Sequence, residues 1–271
     1  WGYGEGHSEE LLGELVKRHP SKKLYTASKI PPKNFQWPAK PEYAFEESYP
    51  TEHIMEYTHK TLKNLGLEQI DLMQFHTWDD GWSDREEWQR AIEDLKISGK
   101  VAAMGISMNR WEPENGIKAL KTGMLDAVQV IYNIFDQAPV DNLFPLCKAL
   151  DIATIARVPF DEGTLTGTMT KETTFPEGDW RGTYFVPENL ISSVEHADAL
   201  RPLIPEGMTM AEMALRFILM NDNVGTTIPG MRKQRNVLAN TATSDGKLLS
   251  NELYEELKKH RWDRVPTSWS Q

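Results

Sequence analysis

The chain is short of several things that would each have pointed to a function. Its 271 residues include one cysteine, Cys147, so no intrachain disulfide can form. Cys147 lies among apolar residues at helical spacing in NLFPLCKALD, which reads as a buried structural thiol rather than a nucleophile. Low cysteine use fits a reducing, cytoplasmic setting. No HExxH or paired CxxC is present and the seven histidines are scattered, so no metal site is expected. No apolar run approaches the roughly 20 residues of a membrane span, and no signal peptide is visible. Positive charge is also in deficit: the formal net charge is −10, which argues against nucleic acid and against anionic membrane surfaces as partners. Nothing resembling GxGxxG follows the first strand, which weakens an open dinucleotide-binding sheet.

What is present is an alternation of apolar runs and amphipathic stretches. Strands are expected at 24–30, 70–76, 101–108, 127–133, 153–159 and 224–230. Helices are expected from Ser8 onward and at 53–67, 84–100, 113–122, 141–150, 190–203, 210–220, 233–242 and 250–261. In the first, Ser8 reads as N-cap, Glu9 and Glu10 occupy the first turn where the helix dipole favours anions, and Leu11, Leu12, Leu15 and Val16 form the buried stripe. In 84–100 the buried stripe is Trp88, Ala91, Ile92 and Leu95, with Gly99 as the stop. The strands are nearly continuous in apolar residues, as parallel strands covered on both faces should be. The pattern predicts a single α/β domain over 1–271, a barrel rather than an open sheet.

In such a barrel, chemistry gathers at the C-terminal ends of strands. Lys29 ends the first visible strand and His76 the second. Tyr3 sits in the YGEG turn directly before the first helix, on the same face. A phenol is a weak acid unless its anion is stabilised, and a nearby ammonium does that. A neutral imidazole can orient a carbonyl. Tyr, Lys and His around one mouth therefore suit protonation of a carbonyl oxygen while hydride reaches carbon, and the hydride requires a nicotinamide cofactor.

These residues carry a resemblance to a family. YGEGHSEELLG resembles the YGxGxSExxLG turn and helix of the aldo-keto reductases, ASK at 27–29 their strand-end lysine, and IDLMQFH their DLxxxH. SGKVAAMGIS (98–107), AVQVIYN (127–133), VPFDEGTLTG (158–167) and IPGMR (228–232) are similar to further family motifs, in the same order. The resemblance implies a (β/α)8 TIM-barrel type fold and NADPH-dependent reduction of a small-molecule aldehyde or ketone to an alcohol. Tyr3 would be the proton donor, assisted by Lys29 and His76. Ser107, Asn109 and Gln129 would hold the nicotinamide carboxamide, and Arg157 would stand where an aromatic commonly stacks on the ring. Gly163, Leu165 and Gly167 would lie along the pyrophosphate. Gly230, Met231 and Arg232, with Asn236 and Asn240, would meet the adenosine phosphate and adenine. Arg232 can clamp a 2′-phosphate, which favours NADP over NAD.

The chain departs from the family pattern at Met108, Arg157, Asn236 and Ala239. The family also has two strands and a helix before the YG turn, with an aspartate that pairs with the lysine. The chain is therefore expected to be N-terminally truncated, with six β/α units visible and about 50 residues missing, counting roughly 30 for each βαβ unit. Two other readings stay open: a nicotinamide-nucleotide-binding barrel without turnover, as in a sensor or regulatory subunit, and an inactive fragment. Three aromatic loops, 31–50, 76–84 with Trp78 and Trp82, and 160–189 with Phe175, Trp180, Tyr184 and Phe185, either wall a substrate site or pack the rim. Asp79 and Asp80 are expected to disfavour anionic substrates near the second loop.

Overall fold

A computed structural model describes residues 1–270. The elements are α1 (His7–Arg18), β1 (Ala27–Ile30), α2 (Phe45–Ser48), α3 (Thr51–Leu65), β2 (Ile70–Phe75), α4 (Glu86–Ile97), β3 (Val101–Ser107), α5 (Ile117–Leu120) and β4 (Ala127–Ile131). They continue with α6 (Leu143–Ala149), β5 (Ala153–Arg157), α7 (Arg181–Tyr184), α8 (Pro187–Ala199), α9 (Met210–Leu219), β6 (Thr226–Thr227), α10 (Gln234–Ala242) and α11 (Asn251–Lys258). Helices and parallel strands alternate in six β/α units, an α/β architecture of the TIM-barrel type. The chain forms two compact units. One comprises residues 1–109, 113–129 and 146–153; the other comprises 110–112, 130–145 and 154 onward.

In the first unit β1, β2, β3 and β4 lie side by side in chain order, all parallel. Register sets what each face carries, because successive side chains point to opposite sides. Ile30, Phe75, Ile106 and Val128 align across the four strands and are buried. Lys29, Gln74 and Gly105 align one step earlier, and Ser107 aligns with Gln129, so polar residues share the opposite face. In α4, Trp88, Ala91, Ile92 and Leu95 are buried as their spacing predicts. Burying each large side chain of that stripe stabilises by about 1.5–3 kcal/mol. Gly66 ends α3 and Gly99 follows α4, both at the positive φ that a helix C-terminus needs and glycine adopts without strain.

In the second unit β5 pairs in parallel with β6 through Ile155–Thr226 and Ala156–Thr227. Tyr132 packs on Phe144 and Phe217, and Phe217 on Tyr254. Met169, Tyr184, Phe185, Leu190 and Val194 form a separate apolar cluster.

Several expected elements are shorter than predicted. The strand expected over 224–230 is confined to Thr226–Thr227. The helix expected over 113–122 is confined to Ile117–Leu120, since Pro113 and Gly116 break the regular backbone before it. The helix expected over 190–203 stops at Ala199 and passes into a 3₁₀ turn at Pro202.

The first helix is the main correction. It starts at His7 with left-handed Gly6 as N-cap, and Ser8 caps nothing. Its buried residues are Glu9 and Gly13; of the expected stripe Leu12 and Val16 are half-buried, while Leu11 and Leu15 are exposed. Gly13 lets α1 lie directly on the end of α3: a Cβ there would stand 2.4 Å from the Leu65 carbonyl oxygen.

Candidate active site

Tyr3, Lys29 and His76 come together in the first unit. The Tyr3 hydroxyl lies 3.5 Å from His76 Nε2. Their rings are 5.6 Å apart between centroids, and the Lys29 ammonium sits 5.3 Å from the Tyr3 ring centre. Each position follows from the chain. Lys29 is the penultimate residue of β1, and His76 follows β2 with its N–H donating to the Ile30 carbonyl at 3.0 Å. Tyr3 is brought in by the turn Gly4–Gly6, whose residues all have positive φ. Gly2 packs on the imidazole, where a Cβ would be 3.1 Å from His76 Cε1. Trp37, from the loop after β1, meets the other side of His76 edge-on at 5.6 Å. Tyr3 is 56% exposed, so its phenol is open to an incoming molecule.

Glu9 supports this group from behind. Its carboxylate accepts hydrogen bonds from Ser28 (2.5 Å), Thr61 (2.8 Å), Asn64 (2.8 Å) and the Trp1 amino group (3.1 Å). Burial alone would raise its pKa, but the Ser28, Asn64 and Thr61 bonds and the nearby amino charge outweigh that and hold the carboxyl below its ordinary range. Read as a first-turn dipole partner, Glu9 gave no sequence signal of this role. Its donors lie up to 55 residues away.

The residues expected to hold a nicotinamide divide in behaviour. Ser107 and Gln129 are buried and in register, and Gln129 Oε1 accepts a bond from Gln74 Nε2 at 3.5 Å. The Asn109 amide is engaged elsewhere: it accepts from Thr77 Oγ1 (2.7 Å) and Ala39 N (3.2 Å) and donates to the Ala39 carbonyl (3.0 Å). That clasp fixes the loop after β1 against β3. Met108 is buried, and a Cβ at Gly116 would meet its methyl at 2.4 Å.

In the second unit, Arg157 ends β5 and its carbonyl accepts from Tyr132 N. Gly163 (φ 126°) and Gly167 (φ 72°) use conformations suited to glycine, while Leu165 is fully buried. Met231 and Arg232 are exposed, and Asn236 is half-buried. Asn240 donates to the Gly230 carbonyl at 3.2 Å, tying α10 to the turn before it. Asp179 is held down to about 2, first by bonds from Arg181 and, more weakly, by the charge of Arg232.

The aromatic loops are largely packing. Trp78 and Trp82 are buried with Tyr49, Phe75 and Trp88 rather than walling a mouth. Tyr184 and Phe185 are buried, whereas Trp180 is exposed. Asp79 and Asp80 face inward: Asp79 accepts from Asn115 Nδ2 (3.2 Å), and Asp80 accepts the N–H groups of Lys118 (2.8 Å) and Ala119 (3.1 Å) at the start of α5. Cys147 is buried and its thiol is pushed up to about 11 by burial, consistent with an inert side chain. Among the described residues, no helix is long and apolar enough to cross a membrane.

The fold is of the TIM-barrel type, and Tyr3, Lys29 and His76 stand together in it. The chain belongs to the aldo/keto reductase family, which matches residues 1–261. It is 26% identical over 254 residues to the NADH-specific methylglyoxal reductase of Escherichia coli (strain K12), covering 89% of this chain and 76% of that protein. It is 29% identical over 239 residues to the aldo-keto reductase YhdN of Bacillus subtilis (strain 168), covering 85% and 69%. Among solved structures it is similar to the glycerol dehydrogenase AKR11B4 from Gluconobacter oxydans, with a TM-score of 0.77, 26% identity, and coverage of 95% of this chain and 78% of that one. Aldo/keto reductases bind nicotinamide cofactors.

Proposed function

We propose that the protein reduces a small aldehyde or ketone to an alcohol with NADPH. The observation that carries this reading is the convergence of the Tyr3 hydroxyl, His76 Nε2 and the Lys29 ammonium. When bound, the dinucleotide supplies hydride. Tyr3 donates its phenolic proton to the substrate oxygen, and the Lys29 ammonium stabilises the phenolate left behind. His76 orients the carbonyl through Nε2–H. Trp37 forms an apolar wall beside His76 that favours substrates with a hydrophobic or aromatic substituent.

The donors an anionic dinucleotide needs are available in the second unit. A Cβ at Gly230 would meet nothing within 4 Å, so the turn there has room for a ligand. Lys233, at the N-cap of α10, adds an ammonium beside a helix N-terminus, and both favour a phosphate. We assign Gly230–Arg232 and Asn236 to the adenosine phosphate and Gly163–Gly167 to the pyrophosphate. Asn240 steadies the turn through Gly230. Ser107 and Gln129 take the carboxamide, and Asn109 braces the loop that carries Trp37. Arg157 is assigned to the nicotinamide end, where its charge would favour neutral NADPH over the positively charged NADP⁺.

NADPH fluorescence on binding, followed by turnover with 4-nitrobenzaldehyde, tests the reading. Binding with turnover supports it, and binding without turnover supports a sensor or regulatory role. The E. coli relative is NADH-specific by name, so NADH is run in parallel. Equal or tighter binding of NADH overturns the 2′-phosphate role given to Arg232.

A further inference from the structure

The stretch after β5 is strained. Val158 (φ 55°), Asp161 (φ 46°) and Glu162 (φ 56°) are all left-handed, a conformation few non-glycine residues adopt and a β-branched valine least of all. Surrounding groups must hold it there. Asn133 Nδ2 donates to the Val158 carbonyl at 3.0 Å. Arg110 pairs with Glu162 at 2.8 Å. Asp161 is 1% exposed; it accepts from Thr164 Oγ1 at 2.6 Å and from Arg264 Nη2 at 2.6 Å. The same Arg264 nitrogen donates to Asp136 Oδ2 at 2.5 Å, and Asn133 Nδ2 donates to that carboxylate at 3.0 Å.

Arg264 comes from the segment that follows α11, and its side chain is 5% exposed. Aromatic contacts seat that segment on both sides of it. Trp262 stacks on His196 at 4.0 Å with the rings 5° from parallel, and its N–H donates to the Phe135 carbonyl at 2.9 Å. Trp269 meets Trp111 and Tyr184 edge-on. None of these groups takes part in the proposed proton transfer, yet they converge on the loop assigned to the pyrophosphate.

We propose that Arg264 is a positioning residue: by clamping Asp161 against Asp136 it fixes the strained loop Val158–Gly167 and so presents Gly163 and Gly167 to the pyrophosphate of the dinucleotide. This rests on the assignment of that loop to the pyrophosphate. An arginine suits the task because its charge is permanent and the planar guanidinium fixes the directions of the two N–H groups on Nη2, one for each carboxylate. A lysine ammonium on a flexible stem fixes neither direction.

The test uses the full chain as wild type, R264K, and the triple variant R264M/D136N/D161N. The triple variant removes both carboxylates with the arginine, so no buried charges are left facing each other and the fold is retained. Hydrogen exchange at 158–167 is followed without cofactor, and NADPH affinity by fluorescence. In the triple variant, exchange should accelerate about tenfold and the NADPH Kd rise about tenfold, with kcat at saturating NADPH within about twofold, since the change lies in binding. R264K should fall between wild type and triple variant on both readouts. Unchanged exchange and Kd in folded variants overturn the proposal. Faster exchange with unchanged Kd overturns it too, because the clamp would then hold a loop the dinucleotide does not use. A wild type that binds no NADPH overturns the functional reading itself, a failure visible before any variant is made.

Discussion

The two faces of β1 are built on opposite terms. On one, Lys29 looks toward Tyr3 and His76, where the phenol oxygen lies 3.5 Å from His76 Nε2 and Tyr3 is more than half exposed. On the other, Ser28 donates at 2.5 Å to Glu9, a carboxylate 5% exposed and gripped by three side-chain donors. Neighbouring residues of one strand thus serve a loose, accessible group and a tight, closed one. The contrast is chemically sensible. Groups proposed to meet a substrate stand where it can reach them, while the carboxylate behind them is buried and held by several donors.

Breaking each side should give different kinds of damage. Tyr3→Phe should have the largest effect: carbonyl reduction should fall by about 10³-fold, within the range for loss of a general acid, while NADPH binding persists. Turnover that survives the change would remove Tyr3 as proton donor. On the closed side, Glu9→Ala leaves Ser28, Thr61 and Asn64 without their acceptor and should cost about 2–4 kcal/mol in urea unfolding. The activity of the folded fraction should stay within a fewfold of wild type. Gly13→Ala should cost about 1–3 kcal/mol, although alanine is the better helix former by about 1 kcal/mol, because the added carbon meets the α3 backbone rather than a movable side chain. A neutral or stabilising result would show that α1 can shift on α3.

A pH series sharpens the same contrast. Glu9 titrates in the fold below its ordinary value of 4.5, so its ionised form is preferentially stabilised there. That contribution is present above about pH 4.5 and lost as pH falls through the lowered folded value, where the native state must take up the proton. The stability gap between wild type and Glu9→Gln should therefore narrow on acidification below about pH 4.5; a constant gap would detach the effect from ionisation. The smallest expected effect belongs to the second unit. Asp179→Asn removes an anion on which the Arg232 charge acts, and with Arg232 in its proposed role should raise the preference for NADPH over NADH by about two- to fivefold.

Much of this protein is legible from one dimension. Period placed α3 and α4, and for α4 also its buried residues and its stop, because a helix stripe and a glycine stop are local properties. Collinear motifs pointed to the family, and the strand-end rule brought Tyr3, Lys29 and His76 to one place. Helix α1 shows the limit. Its leucines make a hydrophobic stripe, but periodicity says nothing about what will stand opposite. Gly13 permits a backbone approach to Leu65 and Glu9 finds three donors on β1 and α3, so the helix turns a polar face inward.

The chain's own sequence determined the alternation of elements and pointed to the family, since these depend on residue type and short-range order. Only the tertiary structure decided which polar groups pair with which. Asn109 is committed to Ala39 and Thr77, Asp79 and Asp80 to the segment around α5, and Arg264 to two carboxylates more than 100 residues away. The physical reason is that burying a polar group is costly until a partner meets it, and partners so distant in sequence are found only when the chain has folded.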